Sequence, residues 1–148
     1  MIENLLTEAL RKKIEEAVKD FRLPVENGEM RAPEVIDAYL PPKRSTKKDD
    51  FPFVIVRAEE GSDGRESADI TVGIIIGCYS ESDDGNKYCL NVKSRTSQAL
   101  LTMENNILAN KYVLQYPVEW TMVPSQPWPQ WQLDMITKWS CNTPQAIF

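Results

Sequence analysis

The densest apolar pattern in the chain is Ile70, Val72, Ile74 and Ile76 alternating with Thr71, Gly73, Ile75 and Gly77. Such a density of β-branched residues suits a pleated, largely buried surface, so residues 68–80 are predicted to form a central strand. Gly73 and Gly77 fall on one face and leave its backbone bare, open to close approach by a helix or an aromatic ring. The polar run Glu81-Ser82-Asp83-Asp84-Gly85 ends extended structure and offers oxygen acceptors to the free N–H groups of a following helix. Val92, Thr96, Ala99, Leu100, Met103 and Ile107 then recur at steps of three or four, predicting an amphipathic helix that runs to residue 109 and packs on the strand.

The remaining segments build around this unit. Ile2, Leu5, Leu6, Ala9, Leu10, Ile14, Ala17, Val18 and Phe21 keep helical spacing, predicting a first helix that Leu23-Pro24 ends. Residues 35–40, with proline on both sides, predict a short edge strand, and the polar residues 43–50 predict a mobile loop. Residues 51–58 form a second strong strand, joined to the central one through a polar hairpin loop over 59–67, so the two are expected to be antiparallel neighbours. Tyr112, Leu114, Tyr116, Val118, Trp120 and Met122 share one parity and predict a half-buried strand, in which Pro117 requires a bulge or an edge. A stiff Pro124 to Pro129 connection leads to a last strand with Trp131, Leu133, Met135 and Trp139 on one side and Gln132, Asp134 and Lys138 on the other. The predicted fold class is α/β (α+β): a mixed, mainly antiparallel sheet of about four to five strands with two helices packed on it, spanning 1–148 as a single domain.

Composition narrows the function. A net charge of −5 argues against generic nucleic-acid binding, because a phosphate backbone is held by a surplus of cations. No apolar run approaches the roughly 20 residues that span a bilayer. Glu3, Glu8 and Arg11 interrupt the start too early for a signal peptide, so a cytosolic protein is expected. The histidine count of 0 removes Ser-His and Cys-His nucleophilic pairs and the HExxH zinc motif together. Cys78, Cys89 and Cys141 are widely spaced and odd in number, which suits reduced, partly buried thiols. No cofactor or metal site is expected. Asp83-Asp84-Gly85 lacks the later glutamate of a calcium loop, and Gly73 to Gly77 lacks the third glycine of a dinucleotide loop.

Three features have the character of contact surfaces. Lys43, Arg44, Lys47 and Lys48 place four cations close together in an acidic chain, suited to an acidic partner surface, although a solvated loop is the plainer explanation. Glu59, Glu60, Asp63, Arg65 and Glu66, with Asp69, form an acidic run that could pair carboxylates or hold a cation, and that a solvated hairpin loop also explains. Trp128 lies between prolines and is expected to be partly exposed, as interface aromatics are.

The helical start, the edge segment ending Ala38-Tyr39-Leu40-Pro41-Pro42, the Phe51-Pro52-Phe53-Val54-Ile55-Val56 strand and Thr71-Val72-Gly73-Ile74-Ile75-Ile76-Gly77 together resemble the tail terminator (tail completion) proteins of long-tailed bacteriophages and prophages. The acidic turn into a helix, the 112–122 strand and Pro127-Trp128-Pro129-Gln130-Trp131 follow the same plan, so the likeness spans nearly the whole chain through order and size rather than one motif. The resemblance implies a non-enzymatic structural protein that forms a hexameric ring on the last ring of the tail tube, stops tube growth and presents the surface that joins the head-tail connector. It implies assembly in the host bacterial cytoplasm and a place in the virion tail or neck. The basic loop, the acidic run and Trp128 would then be partner-facing. A head-closure or tube subunit is the nearest rival, and a small carboxylate-dependent hydrolase, needing Glu59, Asp69 and Asp83 around one cavity, is the other.

Overall fold

Alternating and helical patterns in the sequence become one six-stranded sheet and two helices in a computed structural model, which describes residues 2–25, 28–37, 51–82, 84–124 and 128–142. Helix α1 (Ile2–Val18) buries Ile2, Leu6, Leu10, Ile14 and Val18, the stripe its spacing dictates. It stops before the predicted end. The Phe21 N–H donates to the Val18 carbonyl at 3.0 Å, and Leu23 and Pro24 instead form strand β1 (Leu23–Pro24), antiparallel to β2 (Met30–Arg31).

The main sheet contains β3 (Glu34–Ile36), β4 (Phe53–Asp63), β5 (Ser67–Tyr79), β6 (Ile107–Leu108), β7 (Tyr112–Met122) and β8 (Gln130–Asn142), in the order β3-β4-β5-β8-β7-β6. The fold is α+β as expected, with more strands than the predicted four to five. The extra ones, β1, β2 and β6, have two residues each, too few for any period to show. β3 is an edge strand as its flanking prolines imply, and it pairs parallel with the start of β4, Val35 opposite Val54. All other pairings in this sheet are antiparallel, and β5 is central, bonded to β4 and β8 along its length.

Helix α2 (Gly85–Leu101) lies with α1 on one face, where Val54, Val56, Val72, Ile74, Ile76, Leu133, Met135 and Trp139 complete the main core. Trp139 Nε1 donates to Thr137 Oγ1 at 2.8 Å, and that hydroxyl donates to the Val72 carbonyl at 2.9 Å, so the polar atoms of this buried pair are satisfied. α2 stops at Leu101 rather than 109: Met103 is already extended, with ψ 137°, and Asn105 and Asn106 beyond it adopt left-handed backbone. Its start also differs from expectation. Asp84 makes no side-chain capping bond, and the Ser82 hydroxyl instead accepts from the Asp84 N–H at 3.3 Å.

On the opposite face Phe53, Ile55 and Ile75 form a smaller cluster with Phe51. The two bare glycines serve close approaches here, as predicted, though no helix is involved: the Phe53 ring stands against Gly77 and the Glu59 carboxylate against Gly73.

Candidate functional site

The region predicted as a polar hairpin loop is strand for most of its length. β4 runs to Asp63 and β5 starts at Ser67, with Ser62 opposite Asp69 and Asp63 opposite Ala68, which leaves a tight turn closed by the Gly64 N–H on the Ser67 carbonyl at 2.8 Å. A ladder needs only backbone groups, so polar side chains on both faces do not prevent it where both faces meet water. Residues 58–67 are all exposed, in contrast to the buried start of the same strand. The result is an arm that extends past the helices.

The arm holds Glu59, Glu60, Asp63, Arg65 and Glu66 together. Glu59 occupies a bulge between Ala58 and Glu60, and the Arg57 Nε donates to its carboxylate at 3.2 Å. Glu3, Glu59, Glu60, Asp63 and Asp69 line one open depression at the root of the arm, and Lys138 and Gln115 line a second beside it. Glu59 and Asp69 thus do share a surface, while Asp83 lies outside the described residues. Among the described residues no three Asp, Glu or Cys side chains are placed to hold a metal ion.

The basic run Lys43, Arg44, Lys47 and Lys48 lies outside the described residues. Trp128 is 60% exposed at the start of the turn into β8, which meets β5 at Tyr79, the end opposite to the arm. The three thiols are free and buried. A hydrogen bond with Cys89, then burial, pushes the Cys78 thiol well above its ordinary range, and burial raises Cys141, so neither has the lowered value of a nucleophile.

Sequence reasoning missed a second surface, on β7. Its single parity predicted burial throughout, yet only Tyr112 and Leu114 are buried, whereas Tyr116 and Trp120 are 54% and 47% exposed. The ladder to β8 breaks between Gln115 and Glu119 around Pro117, the predicted bulge; beyond it Val118 and Met122 still pack on the main core while Tyr116 and Trp120 are left exposed. The Tyr116 hydroxyl bonds to Asn106 Oδ1, and the Lys93 ammonium sits 4.6 Å from the Trp120 ring centroid. The proline that signalled the bulge was the available clue.

Compared with models of protein families and with curated proteins, the chain matches none. No described helix is long and apolar enough to cross a membrane.

Proposed function

We propose that this protein works by docking, as a tail terminator that caps the tail tube of a long-tailed phage or prophage. The observation that carries the reading is the sheet itself: one face is closed by two helices, while its two edges carry an acidic arm and an exposed aromatic strip. Surfaces of this kind, charged on one side and aromatic on the other, suit association with copies of the chain and with a tube. The described carboxylates face open water on an arm rather than converging in an enclosed cavity, which favours a structural role over a hydrolase. Copies meet around a hexameric ring on the tube's last ring, tube growth stops, and the outer surface receives the head-tail connector protein. Lys43, Arg44, Lys47 and Lys48, the acidic arm and Trp128 are the partner-facing residues. Assembly takes place in the host bacterial cytoplasm and the protein stays in the virion tail or neck.

Co-sedimentation with cognate tail tubes tests this. Binding that saturates at one ring per tube end is expected. Failure to bind tube ends at any salt concentration overturns the reading, and long tubes formed by this chain alone assign it to the tube-subunit class instead.

A further inference from the structure

We propose that the β7 edge, with Tyr116, Trp120 and Ile107, is the docking site for the acidic β4–β5 arm of a second copy of this chain. The inference rests on the ring reading above and adds which two surfaces meet. Strand order separates them: β4 lies toward one side of the sheet and β7 toward the other, so a single copy can give its arm to one neighbour and its β7 edge to the next. Contacts of that head-to-tail kind generate rings when the rotation closes.

Three observations match the surfaces. The first is backbone. β3 covers only Phe53 to Ile55 of β4, and β6 covers only Tyr112 and Val113 of β7, so the outer edges of 58–63 and 114–122 have no strand partner among the described residues. β4 is antiparallel to β5, β5 to β8 and β8 to β7, so β4 and β7 run in opposite directions. Repeating the unit side by side therefore sets β4 of one copy against β7 of the next in the antiparallel sense, and because Glu60–Ser62 lie level with Val113–Gln115 across the sheet, the neighbour is displaced along the strands to bring the arm to Tyr116 and Trp120. Bulges at Ala58/Glu60 and Gln115/Glu119 interrupt both edges, which limits continuous pairing and leaves much of the contact to side chains.

The second is charge. The arm has Glu59, Glu60, Asp63, Glu66 and Asp69 against Arg65, and Glu60, Asp63, Glu66 and Asp69 form no ion pair among the described residues. Beside β7, helix α2 has no acidic residue and places the Lys93 ammonium at the Trp120 ring, whereas its Lys87 pairs with Asp84 and its Arg95 turns to α1. Glu119 is the only charged residue on the open stretch 114–122. The third is apolar exposure. Tyr116, Trp120 and Ile107, the last 38% exposed, occupy the same edge, and aromatic side chains with adjacent cations are the groups that dominate interface energies.

Sedimentation velocity of the full chain tests the pairing. One variant carries Asp63→Lys with Glu66→Lys, the other Lys93→Ala with Trp120→Ala; circular dichroism and urea unfolding verify that both fold. The wild type is expected to self-associate with rising concentration, and each variant alone to associate more than about tenfold more weakly. Mixed, the two are expected to form a one-to-one dimer and stop, since only one sound arm and one sound β7 edge remain to meet. A variant that assembles like wild type, a mixture of folded variants that stays monomeric, or a wild type that never self-associates overturns the inference. If the wild type still saturates tube ends in any of those cases, the terminator reading stands and this pairing alone is lost.

Discussion

β4 is two strands in one, and its halves teach different things. Residues 53–56 are buried between β3 and β5, whereas residues 58–63 keep the same ladder to β5 with every side chain exposed. The first half supports the fold by removing apolar surface from water; the second adds backbone order but little burial. An acidic arm of that kind contributes little to the core, so its value lies in what it can touch. β7 repeats the contrast in part, buried at Tyr112 and Leu114 and exposed at Tyr116 and Trp120, with Val118 and Met122 half-buried against the core.

The contrast can be broken first in the core. Trp139→Ala removes a fully buried indole and leaves the Thr137 hydroxyl with the Val72 carbonyl as its remaining partner, so urea unfolding is expected to show a loss of about 3–5 kcal/mol. Thr137→Val keeps the volume but leaves the Trp139 N–H without its acceptor, and a smaller loss of about 1–3 kcal/mol is expected in the same assay. Alkaline pH probes the same interior. Cys78, Cys141 and Tyr112 all have raised values in the fold, against ordinary ones of 9.0 for the thiols and 10.0 for the phenol. The unfolded chain therefore releases these protons first; the contribution is complete below pH 9.0 and is lost as pH rises beyond it, so the urea midpoint should fall above that pH and fall less steeply in Cys141→Ser.

Smaller effects sharpen the picture at the periphery. Ala109 holds a φ of 55° in the turn between β6 and β7, where the Lys111 N–H reaches the Leu108 carbonyl. Ala109→Gly should raise stability by about 0.5–1 kcal/mol by relieving that left-handed backbone. On the arm, Asp63→Lys with Glu66→Lys should leave unfolding within about 0.5 kcal/mol of wild type, since neither side chain is buried or paired. A large loss there would mean that the arm serves the fold after all.

Much of this architecture was legible before any coordinates. Ile70 to Ile76 announced the central strand because a strand covered by helices on one face and aromatics on the other needs apolar residues on both. The α1 stripe and the Trp131 to Trp139 alternation were equally plain, since each periodic run is long. What escaped detection had no period to read. β1, β2 and β6 are two residues long, α2 ends where Met103 turns extended in the middle of a periodic run, and the arm is held by backbone pairing that polar side chains conceal. For the candidate surfaces, the sequence marked the acids correctly as exposed but took their frame for a loop. It placed Tyr116 and Trp120 inside because parity alone cannot show how a bulge, here the break between Gln115 and Glu119, changes which side chains are covered.

The most direct test of the central claim is electron microscopy of cognate tail tubes assembled with increasing amounts of the protein. The account predicts shorter tubes that each end in a single added ring, with no protein along the shaft. Tubes of unchanged length with bare ends, or decorated throughout, would contradict it.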